Sequence, residues 1–183
     1  MKPVFHIALK SLFLLYPFLI FLSLQKGLPL RLVAFFLFFI VLFQFLSQKI
    51  VILKNLLFFV MLGILIATFY YDTDIFLKAY PVFISSGLLV AFALSLKFPP
   101  TIIEKIARLK NADLSDYAIS YIRKVTKIWC VFFLFNATAA FCTMFMSAQI
   151  WLLYNGLISY LLVGSLMGIE FLVRRQHMKR ENQ

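Results

Sequence analysis

Four polar side chains stand inside apolar runs near the end of the chain, where they could do chemistry or bind a ligand: Asn136, Asn155, Ser159 and Glu170. An acid inside a membrane-length apolar segment is costly and is often functional. Arg174, four residues after Glu170, offers an ion pair on the same helical face. Asparagine and serine can also hydrogen-bond one helix to another. We therefore favour hydrogen bonds between helices for the two asparagines and an ion pair with Arg174 for Glu170, and we keep a candidate intramembrane polar site at the four positions as the functional alternative.

No motif typical of a catalytic, metal or cofactor site is present in the sequence. It has no Gly-rich phosphate loop and no His-centred nucleophile arrangement. His6 and His177 lie near opposite ends of the chain, and Cys130 and Cys142 fall in one predicted helix, too far apart along its axis for a disulfide. We predict a protein that is not an enzyme and that binds no cofactor or metal. A membrane enzyme using Glu170 and His177 is the alternative.

The composition is that of a membrane protein. Of the 183 residues, 63% are apolar and only 14% are charged, and the mean hydropathy is +0.96. Since a span needs about 20 apolar residues, we predict an all-α polytopic membrane protein with about six transmembrane helices, or five if the first is lost as a signal. The predicted spans of this single membrane domain are residues 7–24, 30–46, 50–71, 79–96, 125–146 and 150–173.

One long segment, residues 98–124, is too polar to cross a bilayer. Pro99 ends the preceding helix, and Thr101 with Glu104 matches a capping box. Glu104 and Arg108 form an i,i+4 pair opposite an apolar face, so we predict a short amphipathic helix along the membrane surface. The candidate contacts with lipid head groups or a partner are Thr101, Glu104, Lys105, Arg108, Lys110, Arg123, Lys124 and Lys127.

The last two predicted spans form an antiparallel hairpin. Asp113 or Ser115 can cap the helix that enters the fifth span, and only residues 147–149 separate that span from the sixth. At a rise of about 1.5 Å per residue from this link, Asn136 and Ser159 lie at nearly the same depth. We therefore predict a hydrogen bond between the two helices at this depth.

Two further patterns belong to this hairpin. Trp129 and Trp151 lie near its opposite ends, so we expect them to anchor the helices at the two membrane interfaces. Gly156, Gly164 and Gly168 share one helical face, and small residues in this arrangement let another helix approach closely. We expect these glycines to admit a neighbouring helix.

The basic residues predict the orientation. If the N-terminus is cytoplasmic, 15 of the 18 Lys and Arg lie on the inner side, and only Lys26, Arg31 and Lys78 lie outside. Because cytoplasmic loops of membrane proteins carry an excess of Lys and Arg, we predict that both termini and residues 98–124 are cytoplasmic.

The same charges indicate the class of partner. The net charge is +11, and seven of the Lys and Arg lie between Lys97 and Lys127, beside apolar spans. Cations in this position meet anionic lipid head groups, so we predict membrane lipids as partners and no nucleic acid. A cytosolic biosynthetic protein, such as an acidic carrier of acyl chains, is a further candidate partner. Association with a second copy of the chain in a homo-oligomer is another alternative.

Several motifs in the C-terminal part of the chain resemble a known family. They are Ser85-Ser86-Gly87, Phe98-Pro99-Pro100-Thr101-Ile102-Ile103-Glu104, Trp129 with Phe132-Phe133 and Asn136, and Trp151 with Tyr154-Asn155-Gly156. Their combination resembles the small inner-membrane proteins of undefined activity that are encoded in bacterial gene clusters for aryl polyenes and related specialised fatty acids. The resemblance implies a bacterial inner-membrane protein that supports the synthesis, handling or placement of envelope lipid or polyene products.

A more distant similarity leads to two alternatives. The intracellular septation protein A family is similar in a smaller set of positions, which are Pro100-Thr101, Trp129, Phe132-Phe133, Asn136 and Trp151. This similarity implies a role in envelope integrity or septation. The other alternative is a small transporter or flippase for a lipid-like or small-molecule substrate, in which the four intramembrane polar residues line a path.

Overall fold

The computed structural model describes a helical protein. It covers residues 16–27, 29, 32, 34–36, 38–39, 42, 52–71, 73–109 and 113–181. Every regular element in these ranges is a helix, which confirms the all-α prediction. The elements are α1 (Tyr16–Lys26), α2 (Ile52–Tyr71), α3 (Ile75–Lys78), α4 (Tyr80–Lys97), α5 (Ile102–Arg108), α6 (Asp116–Met144), α7 (Ala148–Leu153), a π-helical turn (Tyr154–Ile158) and α8 (Ser159–Glu181).

Three helical stretches in the described part of the chain are long and apolar enough to cross a membrane: Ile75–Lys97, Asp116–Met144 and Ala148–Arg175. Leu62–Tyr71, within α2, is a shorter apolar helix. The chain is therefore a helical membrane protein. The predicted spans 7–24 and 30–46, and the candidate residue Lys110, lie wholly or partly outside the described residues.

A short interruption at Ala79 divides the first of these stretches into α3 and α4. The cause is Pro81, which has no N–H group to continue the helical hydrogen bonds. The N–H groups of Lys78 and Ala79 still donate to the carbonyls of Asp74 and Ile75, at 2.9 and 3.0 Å. The apolar helix consequently begins one turn before the predicted span 79–96.

The predicted hairpin is confirmed. Ser115, not Asp113, caps α6, and its Oγ accepts a hydrogen bond from the N–H of Ala118 at 3.2 Å. α6 then continues without a break to Met144. Ser147 caps the next helix, so the link lies two residues earlier in the chain than predicted.

Packing in the described region centres on α6. α4 lies antiparallel along it, with Phe92 and Phe133 in an edge-to-face contact of 5.1 Å between ring centroids. α5 packs on the first half of α6, and α7 with the π-helical turn folds back on its second half. Beside this bundle, α1 contacts α7, where Ile20 and Trp151 share one buried cluster.

The glycine face is only partly occupied. A Cβ atom added at Gly156 would lie 2.9 Å from Leu152 Cδ1 and 3.4 Å from Phe18 Cε2, so α1 does approach closely there. At Gly164 and Gly168 an added Cβ would meet no heavy atom of the described residues within 4 Å. For these two glycines no neighbouring helix is present among the described residues, so that part of the expectation stays a prediction.

Candidate functional site

The Asn136 side chain joins three helical elements at mid-depth. Its Nδ2 donates to Ser85 Oγ of α4 at 2.8 Å, while its Oδ1 accepts from Tyr154 Oη at 3.1 Å and from Ser159 Oγ at 2.9 Å. Asn136 is buried, and so are both serines. The predicted interhelical hydrogen bond between Asn136 and Ser159 is thus confirmed. Asn136 has two further partners, Ser85 and Tyr154, which the comparison of axial depths did not predict.

The π-helical turn explains why Tyr154 and Ser159 reach the same acceptor. These residues are five apart, a spacing that places side chains on different faces of a regular α-helix. In a π turn the hydrogen bonds run from i to i+5, so the wider turn brings both hydroxyls to α6. A period of 3.6 residues therefore could not have paired Tyr154 with Asn136.

A second set of hydrogen bonds lies one layer nearer the hairpin link. Asn155 Nδ2 donates to Thr143 Oγ1 at 3.1 Å and to the Trp151 carbonyl at 2.9 Å. Asn155 is 4% exposed, and its Oδ1 is buried without a hydrogen-bond partner among the described residues. Together these two sets form what we term the polar network, which consists of Ser85, Asn136, Thr143, Tyr154, Asn155 and Ser159.

Trp151 is fully buried, with 0% exposure. Its Nε1 donates to the carbonyl of Lys78 at 3.1 Å, which ties α7 to the junction between α3 and α4. The prediction that Trp151 anchors at the membrane interface is wrong, because its indole is enclosed by protein. The hydropathy pattern predicted the position of Trp151 along its helix, but it could not predict which helices would pack around the indole.

Glu170 lies apart from the other three predicted intramembrane residues. It follows Ser159 by eleven residues of continuous helix, about 16 Å along the axis. Its carboxylate is 3.7 Å from Arg174 Nε, which is the i,i+4 pair that the sequence indicated. The structure thus brings Asn136 and Ser159 together, places Asn155 in the adjacent layer, and puts Glu170 in a separate location.

Glu170 lines a cavity of about 270 Å³ between α6 and α8, here termed the α6–α8 groove. α6 contributes polar side chains near its start and apolar ones further along, and α8 contributes mainly apolar ones. The lining residues are Tyr117, Ser120, Tyr121, Lys124, Val125, Ile128, Trp129, Leu166, Ile169, Glu170 and Val173. The groove thus combines a polar rim with an apolar floor.

Of the two hydrogen bonds expected for the capping box at the start of α5, one is present. Thr101 caps α5, and its Oγ1 accepts a hydrogen bond from the N–H of Glu104 at 3.2 Å. The Glu104 carboxylate pairs with Arg108, whose Nε and Nη2 donate to Oε1 at 3.0 and 2.8 Å. Both capping residues are buried, so they hold α5 against the bundle and present no surface to a partner.

Two apolar side chains, one in α5 and one in the turn after it, point away from the protein. Ile106 is 59% exposed and Leu109 is 86% exposed, whereas Glu104 is 5% exposed. This arrangement reverses that of a helix on a water-soluble domain, whose apolar face is turned inward. It is the pattern of a helix whose outer face meets lipid.

Exposed cations gather where α4 ends, α6 begins and α8 approaches its own end. We term this region the basic end; its described members are Lys97, Lys105, Arg108, Arg123, Lys124, Lys127, Arg174 and Arg175, all of them exposed. At the opposite end Lys78 is buried and pairs with Asp74, with 2.6 Å between Nζ and Oδ2. Among the described residues, exposed positive charge is therefore concentrated at one end of the bundle.

The described residues contain no group of three or more His, Cys, Asp or Glu that could hold a metal ion. Cys130 and Cys142 are free thiols. Comparisons with models of protein families, with curated proteins and with solved structures gave no match to this chain.

Proposed function

We propose that this chain is a non-catalytic membrane protein that supports the synthesis, handling or placement of envelope lipid or polyene products. Its basic end would bind anionic head groups or a cytosolic biosynthetic partner. The observation that carries the proposal is the gathering of exposed cations at one end of three membrane-length helices. Each Lys or Arg close to an anionic membrane surface contributes about 1 kcal/mol of attraction.

The contacts of the basic residues favour this role over a purely structural one. Lys105, Arg123 and Lys127 are exposed and form no ion pair with other described residues. A cation that stabilised the fold would be paired or buried, as Lys78 is at the other end. Unpaired exposed cations remain available to phosphate groups or to an acidic protein surface.

For the arrangement in the membrane we propose six spans in the inner membrane of a bacterium. Both termini and residues 98–124 would be cytoplasmic, with α5 lying along the surface through Ile106 and Leu109. The three described membrane-length stretches and the outward apolar face of α5 support this arrangement. A reporter enzyme fused after Lys26 tests this topology. We expect activity from a reporter that works only outside the cytoplasm, and activity from a reporter that works only in the cytoplasm would overturn the topology.

Deletion of the gene, followed by lipid analysis, tests the function. We expect the amount or the location of an envelope lipid or polyene product to change, and wild-type protein to restore it. A variant carrying Lys105→Gln, Arg123→Gln and Lys127→Gln should insert normally yet fail to restore the product. A change in cell division without any change in lipid would favour the septation role, and full rescue by the triple variant would refute the role of the basic end.

The rival is a small transporter or flippase, and one observation favours it: Glu170 lines a groove between two membrane-length helices. The polar network argues the other way, since the amide of Asn136 is occupied by three protein partners. Flux of a lipid analogue in purified proteoliposomes separates the two functions. A transporter requires flux that Glu170→Gln abolishes, whereas the supporting role predicts no flux above that of protein-free vesicles.

A further inference from the structure

The α6–α8 groove changes in character along its length. Its α6 wall begins with Tyr117 and Ser120, passes Lys124, and continues to Ile128 and Trp129. Twelve residues of α-helix separate Tyr117 from Trp129, which is about 18 Å along the axis. Polar groups thus occupy the part nearest the basic end, and apolar groups occupy the part nearest the middle of the bundle.

The charges that line the groove do not cancel each other. Glu170 pairs with Arg174 at 3.7 Å. Lys124 is exposed and forms no ion pair with the described residues. The groove therefore offers one available ammonium group at its polar rim, next to the hydroxyl of Ser120 one turn earlier on the same helix.

We propose that the groove binds one anionic phospholipid from the surrounding bilayer. The phosphate would lie at Lys124 and Ser120, and one acyl chain would run along Ile128, Leu166 and Ile169. This inference rests on the proposed function, in which the basic end meets head groups, and it adds a single defined site to that general attraction.

The size of the groove favours an acyl chain over a protein segment. At about 270 Å³ it lies just below the roughly 300–1,000 Å³ of pockets that enclose a drug-sized ligand. A partner helix, with its diameter of about 10 Å, needs a longer and wider surface. Part of a single lipid chain, with the head group left outside at the rim, fits the apolar floor and the polar rim of the groove.

Trp129 provides a local reporter for the test. The chain contains two tryptophans, and Trp151→Phe leaves Trp129 in the groove as the single indole. The protein is placed in phosphatidylcholine vesicles that contain increasing fractions of phosphatidylglycerol with brominated chains, which quench a nearby indole. We expect quenching at lower mole fractions than with brominated phosphatidylcholine. If Trp151→Phe does not fold, the difference in emission between wild type and Trp129→Phe serves instead.

Two matched substitutions decide whether the effect belongs to the groove. Lys124→Gln should lower the preference for phosphatidylglycerol by about five-fold or more, because it removes the one cation that would contact the bound phosphate directly. Lys127→Gln removes the same charge from the same helix, but Lys127 belongs to the basic end without lining the groove, so it weakens only the general attraction and should lower the preference less than about two-fold. The proposal would be overturned if both variants lost the lipid preference equally. It would also be overturned if both brominated lipids quenched Trp129 equally in the protein that keeps Lys124 and Lys127.

The outcomes separate this site from the proposed function. Equal losses in Lys124→Gln and Lys127→Gln leave a general attraction of the basic end for anionic lipid intact, and they remove only the defined site. Conversely, selective quenching with no change of envelope products on deletion keeps the site and refutes the supporting role.

Discussion

The polar network and the α6–α8 groove hold polar side chains in opposite ways. In the network, the single amide of Asn136 serves three protein partners and is buried. In the groove, Lys124 is exposed and has no ion pair among the described residues. The first region uses polarity to join helices, and the second leaves polarity available to a ligand.

This contrast follows from the membrane as a solvent. Lipid chains supply no hydrophobic force between helices, so association depends on close packing and on hydrogen bonds between helices. A polar group enclosed by protein must therefore find a protein partner, as Asn136 does. A polar group at the rim of the bilayer can pair with water or with lipid head groups. Substitutions that affect stability and those that affect binding should accordingly fall in different regions.

The largest loss of stability is expected for Trp151→Ala. The indole is fully buried and donates to the Lys78 carbonyl, so its removal leaves both a cavity and an unpaired acceptor. We expect a loss of about 3 kcal/mol in the free energy of unfolding in detergent micelles. Trp129→Ala in the groove is the matched control, with less than half of that loss; a larger loss at Trp129 would reverse the contrast.

Asn136→Leu should have the next largest effect. It removes three interhelical hydrogen bonds, each of which contributes about 0.6 kcal/mol in membrane proteins. We therefore expect the free energy of unfolding in micelles to fall by about 2 kcal/mol. Thr138→Val is the control two residues away, since Thr138 is exposed and, among the described residues, its hydroxyl donates only to the Leu134 carbonyl of its own helix, at 2.9 Å. Similar losses for both variants would argue against an assembly role for Asn136.

The coupling between Asn155 and Thr143 should be smaller. A double-mutant cycle with Asn155→Leu and Thr143→Val measures the 3.1 Å hydrogen bond between them. We expect an interaction energy of about 0.6 kcal/mol, read from the unfolding free energies of the two single variants and the double variant. A value of zero would mean that the Trp151 carbonyl alone satisfies the Asn155 amide.

Ile169→Phe should have the smallest effect on stability. Ile169 is 59% exposed and lines the groove, so we expect the unfolding free energy to change by less than about 0.5 kcal/mol. The larger ring should nevertheless obstruct the floor and weaken quenching of Trp129 by brominated phosphatidylglycerol. Leu172→Phe, at 60% exposure on the same helix and outside the groove lining, should leave quenching unchanged.

The parts of the fold that could be predicted from sequence are those set by local constraints. Thr101 and Ser115 have the chemistry of helix caps, and both act as caps. The short link of the hairpin fixes the relative depth of α6 and α8. For that reason the hydrogen bond from Ser159 to Asn136 could be predicted from the axial rise alone.

The rest depends on contacts that no local pattern determines. Ser85 lies 51 positions before Asn136, and the long segment between them does not restrict the register of α4 on α6. Tyr154 reaches Asn136 only because the helix widens at that point. The α6–α8 groove depends on how far two helices diverge, which hydropathy cannot indicate.

The π-helical turn fixes more than the hydrogen bonds beside it. A π turn holds one residue more than a turn of α-helix in about the same rotation. Deleting one residue between Tyr154 and Ile158 would therefore let the wide turn close, and Glu170 and Val173 would still face α6. Deleting one residue of regular helix later in α8 would instead rotate everything after it by about 100° and turn the groove wall away. The wide turn thus makes α8 tolerant of a lost residue at this one place.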